Sequence, residues 1–544
     1  MRSFAWPLGL GALLLVAGTV GCGSSSPSTN ETPEGGASTD ASHPTGSKDA
    51  TSDGEAFDAT GPTDGRAGDG GSTDGGETDT GASPPADAYT PPPGMPIDAG
   101  PTMPGTITVD PSTTVGTVPA HFVGLSYEKS ELPTGLFRGS DAALVAMLQL
   151  VGPGILRVGG NSVDRTQWYA APTTDGAAAS TITTDDVDNL SAFAKAAGWP
   201  VIYGLDMKLS SPDVAAEEAQ YTATSLGAYL EGFEIGNEPD LYTSTALSST
   251  WSYSIFKTQW SDFASSILTS AGAKTPLTGP ASAADYSTWT VPFAADEGSK
   301  IGLLTQHYYR ANGQLASSTV AALLTPDSNL DKELQALGTA ATSAGIAGGY
   351  RLSECNSYYN GGAPNVSDAF GTALWVIDFM FQNAENGSAG INLHGGGDGP
   401  GYTPIADDSN GNVVGARPEF YGVLLFALAG QGPVYKTTVS VQGGLNVSAY
   451  AVRSTDGSTN VVVVSKDATN GIHATIDLGT SVATAGVTYL QGPSLDATTG
   501  VTLGAAAIDP SGSFSPEGPI PLTVSGTSVT VDVPAASAAL IHAK

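Results

Sequence analysis

Positive charge is scarce in this 544-residue chain: 20 Lys and Arg stand against 53 Asp and Glu, a formal net charge of -33. Such a field repels nucleic acid and anionic membrane surfaces and disfavours long polyanionic substrates. Cysteine is nearly absent. With only Cys22 and Cys355, and the first at the end of a leader, no internal disulfide is expected, and Cys355 reads as a small buried residue rather than a nucleophile. No Cys and His spacing matches a zinc site, and no Gly-rich phosphate loop follows a strand, so neither a metal nor another cofactor is expected. The apolar run from Leu8 to Val16 is too short to span a membrane comfortably.

What is there begins with MRSFAWPLGLGALLLVAGTVGC, residues 1–22, which has the charged start and apolar centre of a secretory signal. TVGC resembles a bacterial lipobox with Cys22 as the lipidated residue, although Thr19 stands where Leu is usual; cleavage without a lipid is the alternative. The expectation is a secreted protein, lipid-anchored at the cell surface or outer membrane through Cys22. Residues 23–104 are mostly Ser, Thr, Gly, Asp and Pro, and read as a disordered acidic linker that cannot bury enough surface to offset its ordering entropy.

After Gly105 the texture changes. Apolar runs alternate with amphipathic helical stretches, as in α/β proteins. Eight strand candidates stand out: HFVGLSYE, ILRVGG, VIYGLDM, GFEIGNEP, LTGPAS, IGLLTQHYY, YRLSECN and GINLHGG. Eight strands separated by helices over residues 105–428 predict a (β/α)8 TIM barrel. A doubly wound open sheet is the alternative, and it would want a Gly-rich fingerprint that is missing. From 429 to 544 the helices give way to short alternating strands between Gly, Asn and Asp turns, which predict a C-terminal β-sandwich. GTITVD, from Gly105, precedes the barrel and is expected to join that sandwich.

Reactive groups in such barrels sit where strands end. The fourth candidate ends in Asn237-Glu238-Pro239, and Pro239 cannot continue a ladder. The seventh ends with Glu354, 354 − 238 = 116 residues later, which three βα units of about 35–40 residues span. Two carboxylates over one cleft suit glycoside hydrolysis: one protonated to release the leaving oxygen, the other ionised to attack the anomeric carbon.

An Asn-Glu-Pro at the fourth strand and a Glu at the seventh are similar to clan A glycoside hydrolases. More narrowly, GLSYEKSEL, ILRVGGNSVDRTQWY, LTQHYYR and LSECNSYYNGGAPNVSDAFGTALW resemble glycoside hydrolase family 79, the β-glucuronidase and heparanase family. The resemblance implies a barrel followed by a β-sandwich, with Glu238 as acid/base and Glu354 as nucleophile. It implies that Asn237 binds the sugar 2-hydroxyl, that Glu128 contacts other hydroxyls, and that Tyr358, Tyr359 and Tyr402 with backbone N–H groups hold a glucuronate carboxylate. Arg157, His307 and Tyr309 are further candidates to line the substrate site; Arg157 could instead pair with a barrel carboxylate, and His307 could orient Glu354. His394 and the glycines after it read as a flexible loop. The implied activity is a retaining, exo-acting β-glucuronidase acting on terminal glucuronic acid or its 4-O-methyl ether. The alternatives are a clan A enzyme for a neutral sugar and a non-catalytic carbohydrate-binding surface lipoprotein.

Overall fold

A computed structural model describes residue 94 and residues 97–172, 181–244 and 250–544. The expected signal peptide and lipobox, and all but the end of the expected acidic linker, lie outside the described residues. No helix among the described residues is long and apolar enough to cross a membrane.

Eight parallel strands close into a barrel: β1 (Val123–Glu128), β2 (Gly154–Gly159), β3 (Val201–Leu205), β4 (Leu230–Ile235), β5 (Leu277–Ser282), β6 (Leu303–Tyr309), β7 (Tyr350–Asn356) and β8 (Ile391–Gly395). Each pairs with its neighbours in sequence, and β8 returns to β1. Nearly every strand residue is buried, as expected where helices cover the outside and side chains fill the inside. The helices start and stop on local chemistry. Thr183 and Asp186 form a capping box for Thr184–Ala197, and Gly198 ends that helix in a left-handed turn. Ser211 caps Pro212–Leu226, which has Pro at its first position.

The leading strand runs from Thr102 to Val118, beginning three residues before Gly105. It lies antiparallel to Gly432–Val441 and parallel to Gly471–Asp477, so it is the seam of the C-terminal β domain. Pro104 is tolerated because pairing with Gly432–Val441 starts only at Gly105, leaving its missing N–H on an open side. One hydrogen-bonded path of strands curls over a shared core that includes Ile107, Val461, Ile476, Val531 and Ile541. Tyr489 Oη donates to Asp532 O at 2.7 Å, joining strands near opposite ends of that path.

The β domain is fixed to the barrel through the helix Phe370–Glu385. Phe381 stacks on Tyr450 with centroids 4.3 Å apart and planes 7° from parallel. Beside it, Asp378 accepts from Ser448 Oγ at 2.5 Å, from Tyr450 Oη at 3.1 Å, and from the Lys466 ammonium. Stacking adds about 0.5–1.5 kcal/mol beyond area burial, and the buried ammonium makes Asp378 costly to lose.

Candidate active site

The site is assembled at the carboxyl ends of the strands around one fully buried arginine. Arg157, on β2, has five N–H donors, and all five are used. Nε donates to Glu234 Oε2 (2.6 Å) on β4. Nη1 donates to Ser126 Oγ (3.1 Å) on β1 and Glu354 Oε2 (2.8 Å) on β7. Nη2 donates to Asn237 Oδ1 (2.9 Å) and faces His307 Nε2 (3.2 Å) on β6. A guanidinium cannot accept, so Nε2 of His307 must, which assigns the ring proton to Nδ1. That Nδ1 donates to Glu238 Oε1 at 3.1 Å. A single side chain therefore orients Glu354 directly and Glu238 through one imidazole.

Ordinary strand alternation would put Ser353 and Glu354 on opposite faces. Pairing of β7 slips against both neighbours between Leu352 and the Glu354–Cys355 step. This irregularity lets both residues face inward: Ser353 Oγ donates to Glu234 Oε1 at 3.0 Å while Glu354 meets Arg157. Glu238 lies beyond the end of β4 in a left-handed conformation (φ 49°), held by its N–H to Ala281 O at 2.9 Å. Such a conformation is uncommon for a residue with a side chain and often marks a functional position.

Glu354 is almost wholly buried, and burial alone would raise its pKa. The positive fields of His394 and Arg157, with a hydrogen bond from Tyr309 Oη (2.8 Å), outweigh burial and hold it well below the usual carboxylate range. Arg157 is the permanent charge among these. Glu238 accepts from His307 and meets no guanidinium among the described residues. One ligand atom each from Glu238, His307 and Glu354 lie within 4.8 Å of one another. These are the atoms that could meet a cation, but Arg157 already places a positive charge on Glu354 there.

The pair opens into a cavity of about 1140 Å³. Glu128, Asn237, His307, Tyr309, Tyr359 and Tyr402 all line it. Glu128 accepts from the backbone N–H of Asn161 (3.2 Å) and Ser162 (2.7 Å). Burial pushes its pKa up, but His394 and Ser162 bring it below its ordinary value. The turn that supplies those N–H groups needs Gly160, at φ +72°, where a Cβ would fall 2.6 Å from the Glu128 carboxyl group. Tyr309 and Tyr402 have ring centroids 5.6 Å apart.

Four sequence expectations are corrected. Tyr358 is buried outside the cavity, with its Oη donating to Thr319 O at 3.0 Å; Tyr359, its neighbour, has the opposite orientation and faces the cavity. Arg157 has no donor left for a ligand and positions other residues instead. His394 is a strand residue rather than part of a flexible loop: it is buried on β8, with Nδ1 3.0 Å from Ser126 Oγ. His307 hydrogen-bonds Glu238 and stays 3.9 Å from Glu354, the residue it was expected to orient. Sequence reasoning missed Glu234, Ser126, Asp164 and Asn161. Glu234 carried a readable signal: a charge in the middle of an apolar strand, like Arg157, asks for a buried partner.

The profile of the glycosyl hydrolase family 79 C-terminal beta domain matches residues 449–540. Over those residues the chain carries a C-terminal domain of the glycoside hydrolase family 79 type. It is 26% identical over 261 residues to a β-glucuronidase of Aspergillus niger, covering 42% of this chain and 47% of that one. It is 25% identical over 224 residues to a β-glucuronidase of Neurospora crassa, covering 37% and 40%. These alignments span less than half of each curated relative. Among solved structures, a 4-O-α-L-rhamnosyl-β-D-glucuronidase from Fusarium oxysporum 12S superposes with a TM-score of 0.67 at 19% identity, over 81% of this chain and 99% of that one. A family 51 arabinofuranosidase from Xanthomonas axonopodis pv. citri gives 0.61 at 15%, over 81% and 100%. At such identities the likeness is one of fold: a TIM barrel with a β-sandwich.

Proposed function

We propose that this protein is a retaining, exo-acting β-glucuronidase that removes terminal β-linked glucuronic acid, plain or 4-O-methylated, from glycans by double displacement. The observation that carries this reading is the pair of carboxylates, with oxygens within 4.8 Å across the barrel mouth and Arg157 on only one of them. A separation of about 5–5.5 Å suits direct attack, whereas about 6.5–9.5 Å leaves room for an inverting enzyme's water. Glu354 attacks the anomeric carbon while Glu238 gives its proton to the departing oxygen. Glu238 then takes a proton from water, which displaces Glu354 and releases the sugar. Asn237, fixed by Arg157, presents its amide to the 2-hydroxyl.

For the sugar carboxylate, the cavity offers Tyr359, Tyr402 and the loop after β7. The N–H groups of Asn360 and Gly361 have no acceptor among the described residues, and both residues are left-handed (φ 63° and 79°). Neutral donors to a charged acceptor are stronger than neutral pairs, so no cation is required. The matched β-glucuronidases support this assignment. Saturation of Arg157 supports a second reading, a neutral glycoside, because it removes the nearest guanidinium from the glycone. Secretion, with a lipid on Cys22, completes the proposal and is tested by mass spectrometry of the mature N-terminus.

The enzymatic test is a panel of nitrophenyl glycosides with the wild type, Glu238→Gln and Glu354→Gln. Glucuronide turnover that Glu354→Gln abolishes is expected. Preference for a neutral glycoside moves the assignment to the second reading, and full activity in Glu354→Gln refutes the mechanism.

A further inference from the structure

Of the three arginines that the barrel's upper and lower interior and its cavity wall hold, two are saturated. Arg157 uses five N–H groups, as above. Arg351, low in the barrel, also uses five: one to Asn392 Oδ1 and four to the carbonyls of His121, Ala389, Phe122 and Ile391. Arg310 is different. It leaves the end of β6, lines the cavity, and its side chain is 19% exposed. Its guanidinium makes no hydrogen bond among the described residues. The nearest carboxylate oxygen is Asp327 Oδ2, at 3.9 Å. That oxygen already accepts from Tyr308 Oη at 2.8 Å, and Asp327 Oδ1 accepts from Asn329 N at 3.0 Å. Withdrawing charged donors from water without acceptors is costly unless a ligand supplies them.

The position of Arg310 says which part of a ligand it meets. Side chains alternate along β6: His307 and Tyr309 point to the carboxylate pair, whereas Tyr308 points outward and stacks on Phe379. Arg310 follows the parity of Tyr308, and its guanidinium lies beside that Tyr308–Asp327 pair. The groups assigned above to the glycone come from β1, from Asn237 just past β4, and from the loops after β7 and β8. Arg310 rises from the end of β6, between the acid on β4 and the nucleophile on β7, with its backbone N–H donating to Ser357 O at 2.9 Å and its side chain directed away from the carboxylate pair. Glu333 also lines the cavity, and burial followed by the charge of Asp327 pushes its pKa up to about 8, so at neutral pH it does not compete as an anion.

We propose that Arg310 forms an acid-recognising subsite on the leaving-group side, binding a carboxylate carried by the group that departs from the glucuronide. The inference rests on the glucuronidase reading for the identity of the ring being cleaved. The cavity, at about 1140 Å³, exceeds the common range of about 300–1,000 Å³ for ligand clefts and has room for such a second group.

The test compares 4-carboxyphenyl β-D-glucuronide with its uncharged match, the 4-carboxamidophenyl glucuronide, on the full chain. Arg310→Ala is expected to lower kcat/KM for the carboxylate substrate by about tenfold or more while changing the carboxamide by less than about twofold. Arg310→Lys should keep part of the difference, and added salt should erode it. An equal loss on both substrates, or a loss on neither, overturns the proposal. Should the wild type turn over neither glucuronide, the glucuronidase reading fails separately. The subsite is then judged by calorimetric binding of the corresponding pair of β-D-glucosides, where an absent Arg310-dependent preference for the carboxylate refutes it.

Discussion

Replacing Arg157 with lysine keeps the charge and removes the fork. Five acceptors surround the guanidinium: Glu234 Oε2, Ser126 Oγ, Glu354 Oε2, Asn237 Oδ1 and His307 Nε2. An ammonium has three N–H donors, so at least two of the five buried acceptors lose their donor. Each unsatisfied buried group costs about 1–3 kcal/mol, which puts the loss at about 2–6 kcal/mol of stability. The pH dependence should move too. The pKa of Glu354 is depressed in the folded protein, so its contribution to stability is present above the ordinary carboxylate value, about 4.3, and is lost as pH falls through the folded value. With a poorer counterion the folded value rises, that contribution shrinks, and the acid limb of kcat/KM shifts to higher pH because the nucleophile must be ionised. Thermal melts and pH–rate profiles of Arg157→Lys on a nitrophenyl glucuronide measure both effects. A variant that melts within about a degree of the wild type, with an unmoved acid limb, would refute the reasoning about this network.

Two other outcomes follow from the same contacts. Tyr309→Phe removes the hydroxyl that donates to Glu354 Oε1, a bond to a charged acceptor worth about 1.5–3 kcal/mol; kcat/KM should drop by about ten- to a hundredfold with a modest upward shift of the acid limb, read from the same profiles. Asp378→Ala strands the Lys466 ammonium, whose side chain is only 3% exposed, at the junction of the two domains; it should cost about 3–5 kcal/mol in a denaturant titration and leave KM unchanged, since Asp378 is not part of the cavity wall.

The barrel was readable because parallel strands buried on both faces leave short apolar bursts; each of the eight bursts overlaps one observed strand, and six contain it whole, the exceptions being ILRVGG and GFEIGNEP, whose strands start at Gly154 and Leu230. The carboxylate pair was readable from where two of those bursts stop. The deeper layer of the site was not readable from alternation. Counting residues along β7 sets Ser353 and Glu354 apart, and the slip in its pairing that brings both inward is a tertiary event. Arg157 and Glu234 could have been paired as the two charges inside apolar strands; that Arg157 would be left with no donor for a ligand depended on five neighbours from five strands or strand ends. The orientation of Tyr358 and Tyr359 turned on the loop after β7, which alternation alone does not fix.

The claim most exposed to measurement is that Glu354 becomes bonded to the sugar. Incubation with 2-deoxy-2-fluoro-β-D-glucuronyl fluoride, followed by peptide mapping by mass spectrometry, tests it directly. The account predicts one label on the peptide containing Glu354 and none in Glu354→Gln; a label on Glu238 or elsewhere, or equal labelling of Glu354→Gln, would contradict it.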